Sequence, residues 1–258
     1  MVEGYRKFRN LRKSSYSLLI GGTNFTTWIP EYIPESNYSN AKKCVQIVQS
    51  LSYDMVMEYF EPFSTLSSQD QKTVFANFLM FFGNTEKLYN TCKAFGNVKD
   101  NDKIILGDGG YGKLGEISKC YTNSADVNGD PEELAKIFST SMTYSVKVIV
   151  PAMMKAEIDD YTITAIYAIS LFNDLLADIT VESREILKKA KEGTIKDLHA
   201  YFCKKGLSDV ELTLAVSRVL LLLPTLEQYV KRIRENFHLL DVFHMIDLPH
   251  FYKHMSIN

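Results

Sequence analysis

One segment of this chain is so apolar that it can only lie inside a protein core. From Val74 to Phe82 every residue except Asn77 is apolar, so all sides of a helix built from this run are hydrophobic. Ser68 and Gln71, just before it, have the S-x-x-Q spacing of a capping box, which predicts that the helix begins with the Ser68 hydroxyl as its cap. The sequence therefore predicts a long central helix that other helices must surround.

Composition limits the class of protein. The chain has 258 residues with 46% hydrophobic composition, enough for a large core, and no repeat or linker divides it. Its formal net charge of −2 gives no general basic field for nucleic acid or an anionic membrane. No run of apolar residues has the length of a signal peptide or a membrane span. Four scattered cysteines predict reduced thiols in an intracellular protein. One local basic cluster is predicted to be a solvated helix face: Arg6, Lys7, Arg9, Arg12 and Lys13.

Helical periodicity dominates the rest of the chain. A helix is predicted from Asn40 to Phe60, and another from the cap Asp130 to near Pro151. Ser208 begins a third, with Glu211 completing a capping box, and this helix continues through Pro224 beyond residue 235. Residues 103–121 break the pattern with clustered glycines and predict a small β-hairpin. The predicted fold class is all-α with one hairpin.

Two sequence patterns suggest a catalytic or metal site, but the residues around them do not support one. Gly107, Gly109 and Gly112 match G-x-G-x-x-G, but no βαβ unit or kinase-like scaffold surrounds them, so a turn is the better interpretation. His250 and His254 lie four residues apart without a third ligand at matching spacing, which favours a solvated face. We therefore predict no enzymatic activity, no cofactor and no metal site.

Five sequence blocks in one order match a single known pattern. They are Asn40–Phe60, the F-x-x-L-x-x-x-D-Q segment Phe63–Gln71, the run AIYAISLFN at 165–173, Glu182–Tyr201 and RVLLLLP at 218–224. Together they resemble the ligand-binding domain of nuclear hormone receptors from about residue 35 to the C-terminus. The L-P-x-F-Y sequence at residues 248–252 resembles the supplementary nuclear receptors of nematodes, which are relatives of hepatocyte nuclear factor 4.

The resemblance implies a three-layer helical sandwich over residues 35–258, preceded in residues 1–34 by an N-terminal segment with a first helix and a connecting loop. It also implies an apolar pocket for a small apolar or lipid ligand. Where relatives that bind acidic lipids carry an arginine, this chain has Asn90, with Lys87 and Lys93 nearby, so the resemblance does not support a carboxylate ligand. The pocket-lining residues that it implies are Val48, Leu51, Met55, Leu79, Phe82, Leu106, Tyr111, Met142 and Phe237.

A groove for a helical L-x-x-L-L coregulator peptide is also implied. The family grips the two ends of that peptide with a lysine and a glutamate, but Glu58 and His254 stand at these positions here, with Lys72 near a second basic position. The resemblance therefore implies a clamp of lost or inverted polarity. The apolar residues of the groove are expected to be Phe63, Val74, Phe75, Phe251 and Met255.

Two functions remain open from the sequence. One is a nuclear-receptor-type domain that regulates transcription in the nucleus, with the cytoplasm also open, and forms homo- or heterodimers through the helix around Leu220. The other is an adaptor with a filled core that acts only by protein–protein contact. The zinc-binding DNA module of the family needs eight paired cysteines, so we expect this chain to contact neither nucleic acid nor membrane directly.

Overall fold

The structure is a computed structural model that describes residues 1–20 and 30–248. The predicted terminal helix, with Phe251, His254 and Met255, lies outside the described residues. The helices are α1 (Val2–Ile20), α2 (Tyr38–Tyr59), α3 (Ser68–Phe95), α4 (Pro131–Tyr144), α5 (Val150–Lys155), α6 (Asp160–Leu171), α7 (Val181–Cys203) and α8 (Asp209–Val242). The strands are β1 (Lys103–Ile105) and β2 (Tyr111–Lys113).

These helices form three layers. One outer layer is built by α1 packed on α2, the middle layer contains α3 and α6, and α4 and α8 pack against each other on the other side. Helix α7 packs against both α6 and α8. Of the 28 residues of α3, 17 are buried, because neighbours cover it on several sides. The predicted all-α sandwich with one hairpin is confirmed.

The start of α3 differs by one residue from the prediction. The cap is Ser67, whose Oγ accepts from the backbone N of Asp70 at 3.1 Å, whereas Ser68 is already helical. Gln71 donates through Nε2 to the carbonyls of Ser64 and Leu66, at 3.2 and 3.0 Å. In this first turn the Asp70 carboxylate lies toward the beginning of α7.

Asp70 joins two helix beginnings. Its carboxylate accepts from the backbone N and Oγ1 of Thr180, at 3.2 and 2.7 Å, and from Ser183 Oγ at 2.6 Å. Thr180 is itself the cap of α7. Hydrogen bonds from Ser183 and Thr180 lower the pKa of Asp70 to about 2. The aspartate of the D-Q pair therefore connects α3 with α7, while Gln71 bonds to the residues just before α3.

The helix that begins at the predicted cap Asp130 continues further than expected. After α4 the chain forms a π-helical turn over Ser145–Ile149 and then α5, which ends at Lys155 and not near Pro151. Pro151 lies in the first turn of α5, where a missing N–H disturbs little of the helix. The predicted capping box of Ser208 and Glu211 is confirmed at the start of α8, which remains helical through Pro224.

The hairpin is short and held by one buried carboxylate. Strands β1 and β2 pair antiparallel, with Ile105 opposite Tyr111. Asp108 in the connecting turn is 3% exposed and accepts from Ser36 Oγ at 2.7 Å, Asn37 N at 2.9 Å and Gly110 N at 3.1 Å. These bonds fix the hairpin turn to the beginning of α2 and so position one wall of the cavity described below.

The basic cluster of α1 is not simply a solvated face. Arg12 pairs with Glu86 at 2.7 Å, and their side chains are only 11% and 4% exposed. Arg9 pairs with Asp160 at 2.9 Å. Tyr5 and Phe8, on the same helix, are buried in the main core. Because these aromatics alternate with the arginines, α1 supplies both core side chains and the cations that pair with buried Glu86 and partly exposed Asp160.

Candidate functional site: a small cavity beside Lys87

A cavity of about 120 Å³ lies between the beginning of α2, the hairpin, α4 and α8. Apolar cavities of about 150 Å³ in other proteins accept benzene, so this volume suits a molecule of that size class. The wall is mostly apolar, with a few polar groups, which is the usual composition of a ligand site. Its members are Ser36, Tyr38, Ala41, Lys42, Val45, Asn84, Lys87, Ile104, Leu106, Gly107, Ile117, Cys120, Tyr121, Phe138, Met142, Tyr229, Ile233, Phe237 and Ile246.

Two lysines in this wall have different surroundings. Lys42 Nζ pairs with Asp126 at 2.8 Å and also with Asp247. Lys87 Nζ donates to the amide oxygen of Asn84 at 3.2 Å, and none of the ion pairs formed within the described part of the chain includes it. Burial lowers the pKa of Lys87 to about 8, and the carboxylate of Asp108 partly opposes this shift. Lys87 is therefore a cavity-lining residue whose amine forms no direct ion pair within residues 1–20 and 30–248, with Asp108 as a more distant opposite charge.

Asn90, the position used in the sequence argument against a carboxylate ligand, does not line the cavity. Its Nδ2 donates to Glu86 Oε1 at 3.3 Å inside the core. Lys87 lies almost one helical turn earlier and does line it. Position 90 consequently carries no information about the polar group of a ligand in this cavity.

The predicted pocket residues fall into two groups. Leu106, Met142 and Phe237 line the cavity. The other six lie elsewhere in the described structure: Met55, Leu79 and Phe82 are buried in the main core, Val48 and Leu51 are partly buried against that core, and Tyr111 packs at the hairpin beside Phe95. Phe82 illustrates the reason, because its ring packs on those of Phe8 and Tyr167, with centroids 5.1 and 4.8 Å apart.

The sequence analysis did not assign Asn84 and Lys87 to the ligand pocket, although a local signal could have indicated both. Both are polar residues three apart in α3, a helix whose other positions are largely buried. A buried polar residue needs a partner or a polar space. Buried Asn84 and partly buried Lys87 on one side of a core helix therefore indicate a network or a cavity, although the sequence does not say which.

The cavity also touches the segment that follows α8. Ile246 lines it and forms an antiparallel bridge with Val127, while the backbone N of Asp247 donates to the carbonyl of Asp126 at 2.9 Å. The ion pair between Lys42 and Asp247 lies at the same place. The segment is thus held directly over the cavity wall, immediately before the terminal residues.

The predicted coregulator groove is partly closed by packing. Phe63 and Val74 are 0% and 1% exposed, so neither offers surface to a peptide. Phe75 lines a surface depression together with Tyr53, whose ring lies 5.0 Å from that of Phe75 between centroids. Tyr53 is 37% exposed and supplies the aromatic surface at this place.

Charged residues of that groove are surface groups. Glu58 pairs with Lys7 of α1 at 2.8 Å, and both side chains are about half exposed. Lys72 is exposed on α3. Phe251, His254 and Met255, which complete the predicted groove, fall outside the described residues. The described half of the groove therefore presents an acidic residue already neutralised by α1.

The segment around Leu220 presents one leucine to the outside. Leu222 is buried, Leu220 and Leu223 are partly buried, and Leu221 is 69% exposed.

Within residues 1–20 and 30–248, no helix has both the length and the apolar character of a membrane span, and no three His, Cys, Asp or Glu side chains cluster as metal ligands.

Comparison with known proteins decides the family. The family model described as "Ligand-binding domain of nuclear hormone receptor" matches residues 35–243, which include the cavity lining except Ile246. The chain belongs to this family. Nuclear receptor ligand-binding domains are parts of ligand-regulated transcription factors and are not enzymes, so the predicted family and the absence of enzymatic activity agree with this membership.

Curated relatives lie among nematode nuclear receptors. This nuclear receptor domain is 30% identical over 245 residues to a Caenorhabditis elegans "High zinc activated nuclear receptor protein", covering 94% of the chain and 59% of the relative. It is 28% identical over 259 residues to nuclear hormone receptor family member nhr-86 of the same organism, covering 96% and 60%. The chain thus spans less than two thirds of the length of these relatives.

Proposed function

We propose that this nuclear receptor domain binds a small apolar molecule carrying an anionic group in the cavity beside Lys87, and that binding regulates transcription in the nucleus. The observation that carries the proposal is the amine of Lys87 in an otherwise mostly apolar wall. A partly buried ammonium without a direct ion-pair partner is unfavourable, and a ligand carboxylate would form a charge-assisted pair with it. The apolar wall would hold the rest of the ligand.

Benzoate and toluene test this proposal as a matched pair. They are similar in shape and fit the size class of the cavity, but only benzoate is an anion. We expect the chain to bind benzoate more tightly than toluene, and Lys87→Met to weaken benzoate binding by about tenfold, because one charge-assisted hydrogen bond is lost. Toluene affinity should change little. Ligand-observed NMR titration measures both affinities.

Val45 supplies the control for that variant. It lines the same cavity without a polar group, so Val45→Leu should weaken both ligands together and leave their ratio unchanged. If Lys87→Met leaves the ratio of benzoate to toluene affinity as it is in the unaltered chain, Lys87 does not select an anion. If neither ligand binds the unaltered chain, the adaptor with a filled core becomes the better function.

For coregulators, we propose that the usual L-x-x-L-L peptide is not the partner of the unaltered chain. The support is Glu58, which stands at the position of the family's lysine and pairs with Lys7. Changing Glu58→Lys and His254→Glu together should create binding to such a peptide, since both ends of its helix dipole would then meet an opposite charge. Fluorescence polarisation of a labelled peptide measures it. Unchanged polarisation for the double variant would contradict the proposed clamp positions.

We also propose a homodimer through α8, with Leu221 at the contact. Its support is the 69% exposure of this leucine on a long helix. Leu221→Glu should shift the native mass spectrum from dimer to monomer, because a buried carboxylate without a partner opposes association. Val181→Glu on α7, where valine is 71% exposed, should leave the spectrum unchanged. A monomer at all concentrations for the unaltered chain would contradict the proposal.

The name of one relative describes it as activated by high zinc, and this zinc response is a property of that protein. No cluster of three candidate ligands within residues 1–20 and 30–248 supports extending it to this chain. We therefore base the proposed function on Lys87 and the apolar cavity.

A further inference from the structure

The chemistry of Lys87 extends beyond pairing with an anion. Lys87 lines a mostly apolar cavity, and the hydrogen bond from its amine to the Asn84 amide oxygen at 3.2 Å uses one N–H. No carboxylate in the described ranges 1–20 and 30–248 lies at ion-pair distance from its amine, although the charge of Asp108 favours the protonated form. Lys42, in the same wall, differs because two aspartates fix it as a cation.

We propose that Lys87 is a covalent attachment site for a small apolar aldehyde, which it holds as an imine inside the cavity. This inference rests on the proposed function, because it uses the same cavity for ligand binding. Lysine amines that are desolvated in hydrophobic pockets are the ones that form imines with carbonyl compounds. The cavity volume of about 120 Å³ selects aldehydes of the benzaldehyde size class.

The reaction needs no further reagent. The neutral amine nitrogen attacks the carbonyl carbon, forming a C–N bond, and a proton passes from nitrogen to oxygen. The resulting carbinolamine loses its hydroxyl with the second N–H proton as water, which leaves the C=N bond. No electron is gained or lost, and added water reverses the step.

Electrostatics favour the reactive form of the amine. With a pKa of about 8, roughly one Lys87 amine in five is neutral at about pH 7.4, against roughly one in a thousand for an ordinary lysine. Burial is the main cause of the shift, and Asp108 acts in the opposite direction.

Reductive trapping tests the proposal on the whole chain. Benzaldehyde and sodium cyanoborohydride, added near neutral pH, convert any imine to a stable benzylamine, which intact mass and peptide mapping locate. We expect an adduct at Lys87 that forms at least about tenfold faster than the one at Lys136, because of the larger neutral fraction. Lys136 is the internal reference because its side chain is 72% exposed.

Two comparisons separate this inference from the proposed function. Lys87→Arg should lose the fast adduct, while the slow labelling of Lys136 continues, and circular dichroism confirms that the variant is folded. Excess benzoate should protect Lys87 in the unaltered chain. If benzoate binds but Lys87 is labelled no faster than Lys136, the imine is wrong and anion binding stands. If neither benzoate nor toluene binds, the proposed function fails as well.

Discussion

Glu86→Ala is expected to lower the free energy of unfolding by about 3–5 kcal/mol, because it removes one partner of a buried ion pair. Glu86 Oε1 accepts from Arg12 at 2.7 Å, and Oε2 accepts from the hydroxyls of Tyr5 and Tyr167, both at 2.7 Å. The alanine variant leaves the guanidinium and both hydroxyls without this acceptor. Urea denaturation at neutral pH measures the change.

Two further variants define the origin of that loss. Glu86→Gln keeps oxygen acceptance but removes the charge, so it should be destabilised less than Glu86→Ala. Glu133→Ala removes an exposed pair with Lys136, whose side chains are 58% and 72% exposed, and should change stability by less than about 1 kcal/mol. A loss below about 1 kcal/mol for Glu86→Ala would contradict a tightly bonded buried network.

The hydrogen-bonded network around Glu86 includes residues of α1. This helix precedes residue 35, where the family match begins, yet it supplies Arg12 and Tyr5 to the network around Glu86. It also packs against α2 and α6. Residues of α1 should therefore affect the stability of the whole domain, and Glu86→Ala reports that coupling.

Asp70→Ala is expected to lower the free energy of unfolding by about 3 kcal/mol at neutral pH, because a buried carboxylate with three donors is removed. The donors come from Thr180 and Ser183 at the start of α7, so their bonds to α3 are lost together. Asp178→Ala is the matched control. Asp178 is an exposed aspartate between α6 and α7, so its loss should change stability by less than about 0.5 kcal/mol.

Acid should remove the contribution of Asp70 in a defined window. Hydrogen bonds from Ser183 and Thr180 lower its pKa in the folded chain to about 2, from an ordinary value of 3.8. A carboxylate whose pKa is lower in the folded chain than in the unfolded chain stabilises the fold fully above the unfolded pKa. This stabilisation is lost as pH falls through the folded pKa. The difference in stability between the unaltered chain and Asp70→Asn should shrink as pH falls from about 4 to about 2. A constant difference over this range would contradict the assignment.

Local sequence signals predicted much of the fold. The apolar run of α3, the caps Asp130 and Ser208, and the glycine-rich hairpin are each confirmed, because their information lies within a few neighbouring residues. The local rule predicts Ser68 as the cap of α3, whereas the structure has Ser67, because either serine satisfies that rule.

The cavity depends on information that the local sequence lacks. Leu79 and Met142 have the same apolar character, yet Leu79 fills the core and Met142 lines the cavity. Arg12 is similar, because the spacing that predicts a solvated face cannot reveal that Glu86 lies opposite. Lys87 shows the difficulty for the site itself. Lys87 lines a cavity whose other walls come from the hairpin, α4 and α8, and these elements are distant from it in sequence.

Methionine methyl NMR tests the central claim that the cavity binds a small anionic apolar ligand. In the unaltered chain labelled at methionine methyl groups, benzoate should cause a saturable shift of the Met142 signal, because this side chain lines the cavity. Met80 and Met153, which are buried at 2% and 0% exposure and do not line it, should keep their positions. A stationary Met142 signal, or equal shifts of all three, would contradict binding in this cavity.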